Sequence, residues 1–161
     1  MKEKYLYRTP VVPLLIEMEE GCIVRLDAVP CGEESEAVSA PLSPAMQCAV
    51  AQLDDYFAGR RATLDLPIKI EGTPFRQRVW QELRRIPYGS TRTYAQIAAA
   101  IGKPMASRAV GGACHSNHLL LLVPCHRVVG SDGSLTGFGA GLPLKEYLLH
   151  LESRGLHHAL L

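Results

Sequence analysis

Cys125 and His126 stand side by side in the stretch VPCHRVV, residues 123–129, directly after four leucines at positions 119–122. A thiol beside an imidazole has three readings: a nucleophile with its base, a pair of metal ligands, or a packing cysteine next to an exposed histidine. As a nucleophile, a cysteine reacts through its thiolate, so its free pKa of about 8.5 must be lowered by a nearby cation, a helix N-terminus or a proton acceptor. Neighbours in an extended segment point to opposite faces. His126 would therefore reach the thiol through a bend in the backbone or a bridging water. An imidazole acting as a base needs its other nitrogen fixed, usually by a carboxylate. Glu152 is the candidate, because Asp132 lies in the turn GSDGS and Glu146 stands beside Lys145.

The remaining thiols and imidazoles argue against a metal. Cys22, Cys31, Cys48, Cys114 and Cys125 form no CxxC pair, and His157 and His158 fall in the terminal tail, so the spacing of a zinc site is missing. Neither metal nor other cofactor is expected. An odd number of cysteines without a signal sequence fits free thiols in a reducing cytoplasm. The early apolar run VVPLLI is broken by Pro13 and followed by acids, and no stretch approaches the roughly 18 apolar residues of a membrane span. The expectation is a cytoplasmic monomer with no membrane partner.

Several elements must position the Cys-His pair. Residues 11–28 read as two strands turning at Glu20-Gly21, a hairpin by turn chemistry and β-branched content. Residues 31–42 are a polar, acidic loop. Ser43-Pro44 opens a helix through Phe57, with Ala49, Leu53 and Phe57 facing a core at four-residue spacing, and residues 60–71 form an extended connector. Thr73-Pro74 repeats the cap-plus-proline signal and starts a helix over 74–86, with Phe75, Val79 and Leu83 on one stripe and Arg76, Arg84 and Arg85 off it.

Two short helices follow, over 91–102 and 105–116, separated by Gly102 and Pro104. Such a pair fits a helix-turn-helix or an ordinary αα-hairpin. Gly111 and Gly112 inside the second helix cost about 1 kcal/mol each and suggest that another backbone approaches closely. Arg108 lies near its start, where a helix also offers free N–H groups to a phosphate. The small Ala106, Ala109 and Ala113 suit a groove better than a core. Next, the run HLLLLVPC at 118–125 reads as a buried strand, since Pro124 pushes Val123 toward extended geometry. A turn, a glycine-rich loop over 135–141 and a final helix over 142–154 with Leu144, Leu148 and Leu151 inward complete the chain.

Charge is unevenly shared along these elements. The whole chain carries +1, but residues 1–71 hold seven Lys or Arg against twelve Asp or Glu, and residues 76–108 hold seven against Glu82 alone. An acidic front and a basic middle suit a chain that turns one face toward phosphates, as they suit a solvated helix surface. The fold class expected is α/β in the α+β sense: a small N-terminal lobe of β-hairpin or sheet plus helix over 1–71, then a mainly helical domain over 72–161. The second domain would carry the helix-turn-helix and a short active-site strand.

From Thr73 to Glu152 the sequence closely resembles the O6-alkylguanine-DNA alkyltransferases. The resemblance rests on TPFRQRVWQELRRIPYGSTRTYAQIA, IGKPMASRAVGGA, VPCHRVV and GLPLKEYLLHLE. Over residues 1–71 it is limited to the order of hairpin and helix. The resemblance implies repair of double-stranded DNA containing alkylated bases, by irreversible transfer of the alkyl group from guanine O6 to Cys125. His126 would act as base through water, oriented by Glu152, while Tyr94 would donate a proton toward the departing guanine. Asn117 would tie the recognition helix to the active-site strand. Arg108, flanked by Ala106, Ser107 and Gly111, would enter the stack where the target nucleotide is flipped out, as chemistry on a stacked base requires. Arg127, Val128, Phe138 and Gly139 would line the base or the DNA. Phe138 stands where the family often has Tyr, His118 and Leu120 where many members have prolines, and Arg76 where Gln is common. A binding-only relative would lack the acceptor cysteine, and a small-molecule Cys-His-Glu hydrolase would leave the basic segment without a role.

Overall fold

The computed structural model describes residues 2–29, 41–135 and 141–156. The chain opens with three antiparallel strands in the order β1 (Lys2–Arg8), β2 (Pro13–Glu19) and β3 (Cys22–Ala28). The expected hairpin is β2–β3, pairing Glu19 with Cys22. Glu20 and Gly21 take positive φ of 52° and 78°, the left-handed pair that matches the twist of a tight hairpin. β1 adds to the strands expected, which begin only at residue 11. It is an edge strand in register with β2, where Lys4 lies opposite Glu17, its Nζ 3.4 Å from the carboxylate. Lysines along an edge discourage further strand pairing.

Helix α1 (Pro44–Phe57) starts as its sequence dictates, with the Ser43 hydroxyl accepting from the Met46 N–H and proline in the first turn. Its buried face is Met46, Ala49, Leu53 and Tyr56. The stripe closes on Tyr56, and Phe57, expected there, is only partly buried. Helix α2 (Pro74–Leu83) is capped by Thr73 and ends earlier than expected, its last turn breaking at Arg84–Ile86. The two-residue strand β4 (Arg92–Thr93) leads directly into α3 (Tyr94–Ala100), and α4 (Ser107–His115) follows across a short turn. Thr93 both ends β4 and caps α3, in a reciprocal box with Gln96: bonds of 3.0 and 2.8 Å fix the entry angle of Tyr94. Trp80 Nε1 donates to Ala113 O at 2.9 Å, tying α2 to α4.

Two expectations fail from α4 onward. Residues 118–123 are not a strand. Only Leu119 pairs, with Leu26 of β3, through bonds of 2.8 and 2.9 Å. Leu121 has φ of 70°, and Leu122, Val123 and Cys125 donate backward to Leu120, Leu119 and Val123. The run coils because the Asn117 side chain holds both ends of it, its Oδ1 accepting from Leu119 N at 2.8 Å and its Nδ2 donating to Val123 O at 2.9 Å. Gly111 and Gly112 do not receive another backbone either. A Cβ on Gly111 would meet the Tyr94 ring at 3.8 Å, and one on Gly112 would meet nothing.

A single turn of 3₁₀ helix, Cys125–Arg127, follows and passes into β5 (Val128–Val129), which pairs in parallel with β4. Helix α5 (Leu142–Ser153) closes the fold, burying Leu144, Leu148 and Leu151 as expected, and also Lys145 and Glu152. One continuous apolar core joins the strands, α1 and the helical half. Among the described residues no helix is long and apolar enough to cross a membrane.

Candidate active site

The 3₁₀ turn decides how the central residues are displayed. Its backbone is bent rather than extended, so Cys125 and His126 share an enclosed interior instead of opposite faces of a strand. Cys125 is 3% exposed, and Asn117 Nδ2 lies 3.2 Å from its sulfur. One amide thus shapes the approach of the chain and touches the thiol that the chain delivers.

Glu152 gathers four donors. His126 Nε2 lies 2.7 Å from Oε2, and Arg127 forks onto both oxygens, Nε to Oε1 at 2.8 Å and Nη2 to Oε2 at 3.0 Å. The Tyr56 hydroxyl of α1 also donates to Oε2. Burial by itself would raise the Glu152 carboxyl, but the hydrogen bonds from His126 and Arg127 outweigh it and hold the group well below the usual carboxylate range. An ionised carboxylate only accepts, so His126 carries its proton on Nε2. Burial also pushes the imidazole below its ordinary value, against the upward pull of Glu152. His126 is therefore neutral near pH 7, with Nδ1 as its lone-pair nitrogen. That atom is buried and bonds to no described residue.

Arg127 was expected to meet base or DNA. It faces inward instead: only 8% exposed, it spends its fork on Glu152 and gives Nη1 to Ile86 O at 2.8 Å. A guanidinium matches a carboxylate in this planar, two-bond manner better than any other side chain.

A second cluster adjoins the first. Lys145 of α5 is fully buried, donates from Nζ to Val128 O at 2.6 Å and sits 5.9 Å from the centre of the Tyr94 ring. The β4–β5 pairing brings these parts together, since Thr93 lies opposite Val129 and Tyr94 comes next. Burial pushes the Cys125 thiol up to about 11, against the pull of the Asn117 hydrogen bond and the Lys145 charge. At pH 7 a thiol of that strength is ionised in roughly one molecule in ten thousand. The lowering expected of a nucleophilic thiol is reversed here by burial, and reaction requires the proton to leave as the bond to sulfur forms.

Ala106, Ser107 and Arg108 stand apart from this network. They form the first turn of α4, where Ala106 offers no side-chain cap and Arg108 is exposed. The N–H groups of that turn are left for an outside acceptor. Gly111 lines the Tyr94 ring. Phe138 and Gly139 lie outside the described residues.

Sequence reasoning missed Tyr56 and Lys145. A helical lysine is ordinarily solvated, so Lys145 gave no signal. Tyr56 was hidden by the choice between two stripes, Ala49-Leu53-Phe57 and Ala49-Leu53-Tyr56, which sequence spacing permits equally.

Residues 74–154 match the family described as "6-O-methylguanine DNA methyltransferase, DNA binding domain", and residues 3–70 match "6-O-methylguanine DNA methyltransferase, ribonuclease-like domain". A constitutive methylated-DNA–protein-cysteine methyltransferase of Bacillus subtilis is 47% identical over 150 residues, which cover 89% of this chain and 91% of the relative. A methylated-DNA–protein-cysteine methyltransferase of Methanosarcina barkeri is 53% identical over 108 residues, 67% of this chain and 68% of the relative. The crystal structure of Mycobacterium tuberculosis O6-methylguanine methyltransferase superposes with a TM-score of 0.84 at 37% identity, covering 99% and 98% of the two chains. That of Mycobacterium tuberculosis OGT in complex with DNA also gives 0.84, at 38% identity over 94% and 93% of the chains.

Proposed function

The chain belongs to the 6-O-methylguanine DNA methyltransferase family, and from that premise we propose that it repairs DNA by moving an alkyl group from guanine O6 onto its own Cys125. The observation that carries this reading is the buried Cys125 thiol, held by Asn117 and followed by a neutral His126 whose Nε2 is tied to Glu152. In the proposed step Sγ attacks the alkyl carbon, forming the C–S bond as the C–O6 bond breaks. The thiol proton passes through a water to His126 Nδ1. Tyr94 donates a proton to the guanine as negative charge develops on it, which a poor leaving group needs. The thioether is stable, so each molecule reacts once.

Lys145 supports the step in two ways. It pins the Val128 carbonyl, leaving that oxygen a second lone pair for a base edge, and its charge favours the sulfur as negative charge gathers there. Arg127 serves by orienting Glu152 rather than by touching DNA. Arg108 and the uncapped turn of α4 meet the duplex, with Arg108 filling the gap left by the flipped nucleotide. One chain holds every group the step uses, which supports a monomer acting on alkylated duplex DNA.

Incubation with a duplex containing O6-methylguanine tests the assignment. Peptide mapping is expected to find S-methylcysteine at Cys125 and guanine restored in the DNA. Methyl appearing on any other residue, or restoration by Cys125→Ser, would refute it.

A further inference from the structure

The Tyr56 hydroxyl belongs to the N-terminal lobe, yet it ends on the carboxylate that orients His126, 96 residues further along the chain. It is not a surface tyrosine that happens to reach inward. Its side chain is among the largest fully buried ones, and its ring is held edge-on by Phe57 at 5.3 Å and by Tyr88 at 6.3 Å. Burial, reinforced by Glu152, drives the phenol well above its ordinary value, so it is a donor at every working pH. It donates to Oε2, the same oxygen that faces His126 Nε2.

We propose that Tyr56 is a positioning residue for the alkyl transfer, through which the N-terminal lobe keeps Glu152 an acceptor and so keeps the proton of His126 on Nε2 and its lone pair on Nδ1. The inference rests on the function proposed above. Two donors competing for one oxygen weaken each other's hold. With Tyr56 in place Glu152 draws less strongly on the imidazole N–H, and His126 remains neutral to lower pH. Without it, Oε2 keeps only His126 and Arg127, the carboxylate attracts a proton more strongly, and the imidazolium is favoured. Among the described residues, the other charged and titratable groups acting on the pair are Arg127 from the 3₁₀ turn, Lys145 from α5 and Tyr88 from the connection between α2 and β4, with Cys125 next to His126 in the chain. None of them is replaced in the test.

The test is the single-turnover rate of methyl transfer at saturating duplex, followed from acid to neutral pH for the wild type and for Tyr56→Phe. The variant's acid limb is expected about one pH unit higher, with the affinity for duplex unchanged. Superimposable limbs would overturn the proposal, because a purely structural tyrosine alters stability without moving the limb. Should Tyr56→Phe fail to fold, a ring-fluorinated tyrosine at position 56 is a stronger donor of nearly the same shape. Its limb is expected below that of the wild type, and coincidence would again overturn the proposal. If the wild type itself transfers no methyl group, the proposed function fails instead.

Discussion

Cys125 is held as a protonated thiol, in contrast to the exposed, low-pKa thiolates of redox-sensing cysteines. Burial sets that state and protects an acceptor that works only once. Without DNA, Cys125 is therefore expected to react slowly with iodoacetamide at pH 7, with a rate that climbs toward an apparent pKa of about 11. A midpoint near the free-cysteine value of about 8.5 would contradict this. Asn117 supports the same thiol, and its replacement by Ala strands the Leu119 N–H and the Val123 carbonyl. Unfolding in urea is expected to show a loss of about 2 kcal/mol or more, together with a further rise in the Cys125 midpoint. Cys125, His126 and Glu152 could be read from the sequence because their motif is specific. The inward turn of Arg127 could not, since it depends on a carboxylate 25 residues away in the chain.

At the scale of elements, the sequence legibly marked the starts of α1 and α2 with Ser43-Pro44 and Thr73-Pro74, along with the β2–β3 hairpin, whereas α3 and α4 begin two to three residues later than their spacing suggested. It misled at the leucine run. Apolar, β-compatible residues favour a strand only where the backbone finds a partner, and here the Asn117 amide supplies a competing local set of bonds. The glycines of α4 misled in a related way: Gly111 sits against the Tyr94 ring and Gly112 faces open space, and neither receives a neighbouring backbone. Gly112 lies one turn beyond Arg108 on the same exposed face. Gly112→Ala puts a methyl group into open space, so it is expected to stabilise the fold by up to about 1 kcal/mol. Because that face is the one proposed to meet the duplex, affinity for DNA is expected to fall at the same time, measured by fluorescence anisotropy. Gain of stability with unchanged affinity would remove this face of α4 from the interface.

Across the whole molecule, Glu152 is where the lobes meet chemically, joining α1 through Tyr56, the 3₁₀ turn through His126 and Arg127, and α5 through its own backbone. The division into an acidic front and a basic middle was visible in the sequence, but this convergence was not, because nothing local to α1 distinguishes Tyr56 from a packing tyrosine. It makes stability depend on pH with a definite sign. His126 has a lowered folded pKa, so its contribution is present above the unfolded value of about 6.5 and is lost as pH falls below it. Glu152 also has a lowered folded pKa, and its contribution is present above about pH 4.3 and is lost as pH falls further. Urea unfolding is expected to show stability falling in two phases on the acid side, and Glu152→Gln is expected to lack the lower one.

In the proposed reaction Cys125 is a reactant, consumed by the repair it performs. Intact-protein mass measurement with excess O6-methylguanine duplex tests this most directly. One methyl-for-hydrogen exchange per protein molecule is expected, with no more guanines restored than molecules present and no exchange in Cys125→Ser. Guanines restored in excess of protein, an unchanged mass, or a methylated Cys125→Ser would contradict it.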